Sequence, residues 1–377
     1  MAQDKHEDQG PAHNEVGLAL WKRGATQAAL DSFARAVAAS PGSAELHYNL
    51  GCAQLESERF EEAVGSAREA LRLRSGFSEA LTLWAAGLAA NGAVEAGAAL
   101  LCQRGGPAIA PAQRYLMLAM RLMSSKLFGP ARRCLERVLQ EDASEVIARH
   151  LLSASSGENP DRPVDGYVRQ LFDASAATFD RELLSKLGYA VPREMVDALR
   201  SVQGAPNQPW DVLDLGCGTG LVGAQIAPCV RRLVGIDLAP NMIEHARARN
   251  IYTDLRCADL AAVLAHNESS EDRYDIVTAG DVFIYVGRLD QVIPAIYRAL
   301  RPGGLLAFSA EAAEPRREPH CEGYRLGVMG RYTHSAGYLR KLAAESGFDV
   351  ALMRDIRIRS EHRRPVPGWL SVFRRPC

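Results

Sequence analysis

A chain of 377 residues, 47% of them hydrophobic and 24% charged, has room for two soluble domains with a core each. Its formal net charge of -1 excludes a general attraction to nucleic acid or anionic membranes, and no apolar run reaches the roughly 20 residues of a membrane-spanning helix. The 8 cysteines are scattered without a Cys-x-x-Cys pair, which predicts reduced thiols in a cytoplasmic protein, with neither a disulfide framework nor a metal site expected.

Residues 1–9 are polar and read as a flexible start with no leader sequence. From 10 to 152 the chain repeats with a period of about 34 residues. Gly17, Gly51 and Ala85 fall in register, as do Ala29 with Ala63 and Ala36 with Ala70. Phe60 and Phe128 open the second helix of their copies, and Pro41 closes the first copy. Small residues at such places let antiparallel helices approach while Leu and Phe fill between them. The copy at 78–111 is degenerate around Gly105-Gly106-Pro107; the copy at 112–145 recovers with Tyr115, Leu118 and Ala131. This pattern resembles tetratricopeptide repeats. The resemblance implies an all-α solenoid whose groove holds a partner protein or substrate; a rigid arm for folding or dimerisation is the other reading.

Residues 153–165 cluster Ser, Gly, Asn and Pro and are expected to be a linker. Residues 166–377 then form the second domain. It opens with Phe172-Asp173 and Phe179-Asp180, seven residues apart, which is also ordinary core spacing for a helix. A helix is expected over 192–202 with Pro192 in its first position. Next, the turn-like Gly204-Ala205-Pro206-Asn207 leads into the apolar run from Trp210 and the string Asp214-Leu215-Gly216-Cys217-Gly218-Thr219-Gly220. Strand, glycine turn and helix in that order build a ligand crevice at the carboxyl end of a parallel sheet. Asp214 at the strand end repels a diphosphate and attracts an amino group or sulfonium. Cys217 reads as a small filler in that turn.

A second strand ends at Asp237, about 20 residues beyond the glycines, where a carboxylate can accept both hydroxyls of a ribose. Leu238 and Met242 are placed to pack on an adenine, although Met242 also fits a plain core. A third strand ends at Asp259-Leu260, where the acid also fits a helix cap. The fourth covers 274–279 and leads into Gly280-Asp281-Val282-Phe283-Ile284-Tyr285. A helix over 291–300 stops at Arg301-Pro302-Gly303-Gly304 before a fifth strand at 305–311. Residues 312–335 read as a long polar, irregular insertion of the sort that carries substrate contacts. Strands over 349–359 and 369–374 close the chain, and the arginines of 354–364 read as a solvated face.

Gly218-x-Gly220-x-x-Gly223 matches the dinucleotide fingerprint, so a nicotinamide-dependent oxidoreductase is one reading. The whole string from Asp214, with Leu300-Arg301-Pro302-Gly303-Gly304, better resembles class I S-adenosylmethionine-dependent methyltransferases. Phe172-Asp173, Phe179-Asp180, Leu187-Gly188-Tyr189 and Gly330-Arg331-Tyr332-Thr333-His334-Ser335 resemble those bacterial members that carry tetratricopeptide repeats. Ser175 departs from the tyrosine common there.

The resemblance implies a Rossmann-like, seven-stranded, mostly parallel sheet behind the solenoid, with S-adenosyl-L-methionine as cofactor. It implies cofactor contacts from Asp214, Gly216, Cys217, Gly218, Gly220, Asp237, Leu238, Met242, Asp259, Leu260 and Gly280. Asp259 takes the adenine amino group, and Tyr285 touches the acceptor. His334 is the leading candidate base, with Asp281 or Glu311 behind it, and no metal is implied. No Asn-Pro-Pro-Tyr or Asp-Pro-Pro-Tyr string follows the fourth strand, which lowers amide and base nitrogens as acceptors. A small molecule, a carrier-bound metabolite or a protein is expected there, with neither nucleic acid nor membrane as partner. An inactive second domain on a repeat scaffold is the remaining alternative.

Overall fold

A computed structural model describes residues 9–103, 109–204, 208–265, 273–313, 323–361 and 364–377. The expected breaks at Gly105-Gly106-Pro107 and Ala205-Pro206-Asn207, the first eight residues and part of the 312–335 insertion lie outside the described residues. The chain divides into two compact units between Ser155 and Ser156.

The first unit is built of antiparallel helix pairs: α1 (Gly10–Lys22) with α2 (Thr26–Ala39), α3 (Ala44–Glu56) with α4 (Phe60–Leu73), and α5 (Ser78–Ala90) with α6 (Val94–Leu100). These are followed by α7 (Pro111–Ser124) with α8 (Phe128–Glu141), and by a single α9 (Val146–Ser156). The second helices begin at Thr26, Phe60, Val94 and Phe128, one repeat apart each time. The small residues are demanded by contact. A Cβ on Gly17 would lie 2.7 Å from the Phe33 ring, and one on Gly51 would lie 2.9 Å from Leu83. In the degenerate third pair α6 is only 7 residues long and ends in the 3-10 turn Leu101–Gln103.

The expected linker is not a free tether. Its first residues, up to Ser156, belong to α9. Beyond them Asn159 accepts from the Leu326 amide at 2.7 Å and donates to the Tyr324 carbonyl, while Asp161 pairs with Arg288 at 3.1 Å. These residues are stitched to the second unit.

In the second unit α10 (Tyr167–Ser175) and the one-turn α11 (Phe179–Arg181) run into a π-helical turn at Glu182–Lys186. Next comes α12 (Val191–Gln203), where Pro192 is the second residue rather than the first. The sheet alternates with helices from there: β1 (Trp210–Leu215), α13 (Leu221–Ile226), β2 (Val230–Asp237), α14 (Pro240–Ala248), β3 (Asp254–Cys257) and α15 (Leu260–Ala265). The second half is β4 (Tyr274–Ala279), α16 (Val292–Ala299), β5 (Leu300–Ala312), β6 (Tyr324–Leu326), β7 (Tyr332–His334), α17 (Ala336–Glu345), β8 (Asp349–Glu361) and β9 (Arg364–Arg374).

The pairing order β3-β2-β1-β4-β5 is parallel throughout, and β9 then pairs antiparallel with both β5 and β8. These seven strands are the mostly parallel sheet expected. Their two faces bury separate cores, one around Leu213, Val277 and Phe308, the other around Val212, Leu233 and Val372. The order reverses beside β1, so the crevice opens at the carboxyl ends of β1 and β4.

The structure departs from the expected layout in two places. Arg301 to Gly304 belong to β5, whose pairing with β4 shifts register between Tyr274 and Ile276; Gly303, at φ +78°, bonds instead to Arg375. The described part of the 312–335 insertion contains two short strands: β6 and β7 form a hairpin, and β7 lies parallel to the end of β5 at Glu311 and Ala312.

Candidate active site

A cleft of about 630 Å³ lies at the carboxyl ends of the parallel strands, within the range of small-molecule sites. Its floor is the glycine turn. Gly216 has φ +57° and a Cβ there would strike Val282 at 2.5 Å. Gly218 has φ +54°, and a Cβ there would project into open space, with only Phe179 within reach at 4.0 Å. Cys217 between them is buried, and burial pushes its thiol well above the usual range, which makes it an inert filler.

Asp237 is the best-placed acid. It ends β2, lines the cleft, and accepts from the Gly218 and Ala239 amides at 2.9 Å each. Each carboxylate oxygen keeps a lone pair for a ligand hydroxyl. Leu238, Asp259 and Leu260 line the same end. One oxygen of Asp259 caps α15 through the Ala261 and Ala262 amides, as the helix-cap reading expects, while the residue also lines the cleft.

Four expected contacts do not line the cleft. Asp214 is buried behind the turn, accepting from Tyr252 at 2.8 Å and Thr278 at 2.7 Å. Burial raises its carboxyl to about 6 despite those two donors. Gly220 faces Arg249 and Tyr252, each 3.0 Å from where its Cβ would be. Met242 is 1% exposed and packs on Ala176 and Ala239, with Phe172 and Phe179 against the same cluster. His334 is fully buried beside Tyr338, its Nε2 3.0 Å from the Gly287 carbonyl, and burial lowers it to about 4. A base there has no face on the cleft.

The roof comes from the paired Phe-Asp segments. Phe172 and Phe179 meet edge to face at 5.8 Å and both line the cleft, with Tyr285 5.2 Å from Phe172. The aspartates are latches: Asp173 accepts from the Asn241 amide at the start of α14, and Asp180 accepts from Thr219 in the glycine turn and from Arg249. Ser175 bonds back to its own helix at Leu171 and Phe172 and points no hydroxyl at the cleft.

Of the far wall, the sequence reading has Asp281 and Glu311 as candidate bases but not the arginines that face them. Arg331 and Arg359 line it, locked to Glu311, Glu361 and Asp281. Arg359 is 4% exposed, which corrects the reading of 354–364 as a solvated face. A bulge between Arg357 and Arg359 puts Ile358 and Arg359 both inward on consecutive residues. Asp281 stands at φ +56°, clamped by Ser309, which accepts from its amide and donates to its carboxylate. Tyr252 was missed as well; its hydroxyl lies 2.3 Å from where a Cβ of Gly223 would be, which is why that position is glycine.

Comparison with known proteins finds a match within each unit. Residues 213–306 match the family model described as methyltransferase domain, and 3–44 and 14–76 match tetratricopeptide repeat. A ubiquinone biosynthesis O-methyltransferase of Hydrogenovibrio crunogenus is 30% identical over 115 residues, 30% of this chain and 47% of that protein. Methyltransferase-like protein 27 of Homo sapiens is 32% identical over 145 residues, 37% and 55% of the two chains. A ubiquinone biosynthesis O-methyltransferase of Bordetella avium is 28% identical over 216 residues, 54% and 89%. The chain thus spans about half the length of the first two.

The match over 213–306 marks the second unit as carrying a methyltransferase domain of the S-adenosylmethionine-dependent class. In this chain it stands behind a tetratricopeptide-repeat region.

Proposed function

We propose that the protein transfers a methyl group from S-adenosyl-L-methionine to a small or carrier-bound acceptor, with the repeat region holding the acceptor's carrier or another protein partner. The observation that carries this is Asp237, a strand-end carboxylate tied to two backbone amides on the open side of a cleft whose glycine floor leaves room for a ligand. Asp237 would hold the ribose, Leu238 and Leu260 would flank the adenine, and Asp259 would face its amino edge. Gly216, Cys217, Gly218 and Gly280 would form the wall beside the remainder of the cofactor. When bound, the cofactor supplies a methyl group already activated on a sulfonium, so the chain's task is to align an acceptor and exclude water.

Phe172, Phe179 and Tyr285 would close over the site, and their latches Asp173 and Asp180 fix the roof to the floor. Asp281 replaces His334 as the group able to take a proton from an acceptor, since it faces the cleft and His334 does not. Two of these relatives are ubiquinone biosynthesis O-methyltransferases by name, which favours oxygen acceptors here. Calorimetry with S-adenosylhomocysteine and with NADH tests the reading. Binding of the first alone is expected, with Asp237→Ala weakening it by roughly tenfold or more, the value of charge-assisted hydrogen bonds. NADH binding in its place would return the oxidoreductase reading.

A further inference from the structure

The cleft has a second end, and its chemistry differs from that of the nucleoside end. Asp281, Glu311 and Glu361 face Arg331 and Arg359 there, three carboxylates against two guanidiniums. Every nitrogen of the Arg359 guanidinium already donates to a carboxylate, and Arg331 divides its bonds between Glu311 and Glu361. All three nitrogens of Arg359 and two of the three of Arg331 are thus engaged by the protein, and with every group ionised the carboxylates outnumber the guanidiniums by one. Such a charge favours a cation or a hydrogen-bond donor and opposes an anion. Arg162 and Arg169, at the rim, are exposed and Arg169 lies 3.8 Å from Asp173, so solvent screens them.

Two hydroxyls complete the wall. Tyr189 and Tyr285 both line the cleft, and neither hydroxyl has a hydrogen-bond partner among the described residues. Tyr189 comes within 3.8 Å of where a Cβ of Gly280 would stand, which places its hydroxyl beside the turn that carries Asp281. The Phe172 and Tyr285 rings supply an apolar flank suited to an aromatic or alkyl body and to a cation at its end.

Resting on the methyltransferase reading above, we infer that the Asp281–Tyr189–Tyr285 wall is the acceptor subsite, and that it binds an acceptor through an N–H or O–H group, which gives a proton to Asp281 before or as its lone pair attacks the methyl, while rejecting carboxylates. An amine and an alcohol share that donor chemistry, and Asp281 distinguishes them because only the ammonium gains from its charge.

The test uses the full chain saturated with S-adenosylhomocysteine and three probes of one shape: benzylamine, benzyl alcohol and benzoate. Calorimetric competition or ligand-observed NMR should show benzylamine or benzyl alcohol binding at least about tenfold tighter than benzoate, the scale of one charged hydrogen bond. Asp281→Asn should weaken benzylamine by a similar factor and leave benzyl alcohol nearly unchanged. Tyr189→Phe, which removes only a hydroxyl and so spares the fold, should weaken both donors. Benzoate binding as tightly as the other two overturns the inference, and so does binding of none of the three while S-adenosylhomocysteine binds. Failure of S-adenosylhomocysteine itself would strike the proposed function and not the wall.

Discussion

Asp214 supports the glycine turn from beneath without lining the cleft. Its carboxylate, 1% exposed, takes the Tyr252 and Thr278 hydroxyls and so holds β1, β4 and the loop before β3 in register beneath the glycine turn. Burial raises its folded-state carboxyl to about 6 from an ordinary 3.8. A raised acid binds its proton more tightly in the folded than in the unfolded chain. Its contribution to stability is therefore full below the unfolded value and lost as pH rises through about 6. Asp214→Asn should abolish that part of the pH dependence, so that urea midpoints of wild type and variant converge near pH 4 and part by pH 7, the variant being relatively more stable. Parallel midpoints across that window would show that Asp214 does not titrate there. The sequence reading found this acid from its strand-end position, but whether a strand-end acid faces out or down depends on Tyr252, which lies 38 residues away. Gly223 and Gly235 both make room for the same tyrosine, with Cβ clearances of 2.3 and 2.8 Å, and Gly235 also for Leu255 at 2.7 Å.

Among the elements, the parallel core was legible because apolar strands, glycine turns and strand-end acids recur at regular steps. What escaped were irregularities of hydrogen bonding. The bulge in β8 turns Arg359 inward against the alternation of its neighbours, and the β6–β7 hairpin makes sheet out of what reads as polar loop. The same bulge separates two arginines of one strand by environment. Arg359→Met leaves Asp281, Glu311 and Glu361 with less counter-charge and should cost roughly 3–5 kcal/mol by chemical denaturation. Arg354→Ala, whose pair with Glu194 is solvated, should cost less than about 1 kcal/mol. Equal costs would contradict the burial of Arg359. The roof makes a kinetic prediction of its own. Asp180 ties α11 to Thr219 and Arg249, and its side chain is 40% exposed. Asp180→Ala should therefore leave global stability within about 1 kcal/mol. It should raise the dissociation rate of S-adenosylhomocysteine several-fold in stopped-flow displacement. An unchanged rate would mean that the roof opens without breaking this latch.

At the scale of the whole molecule, the two units do different physical work. Among the described residues, those lining the cleft lie between Arg162 and Glu361, inside the second unit. Ligand binding stabilises the state that binds it and slows amide exchange where opening must break the site. With S-adenosylhomocysteine present, hydrogen exchange should slow across Phe172–Tyr189, Gly216–Val222, Asp237–Ile243, Asp259–Leu264 and Gly280–Tyr285. Helices α1 to α9 should exchange as before, since their packing of small residues such as Gly17 and Gly51 against Phe33 and Leu83 is complete without the cofactor. The stitched segment 157–165 is the discriminating stretch, because Asn159 and Asp161 hold β6 and Arg288 of the second unit. If protection stops at that segment, the repeat groove selects its partner whether or not the cofactor is bound. If it runs on into α7 to α9, loading of the cleft is transmitted to the groove, and partner binding must in return tighten the cofactor by the same factor.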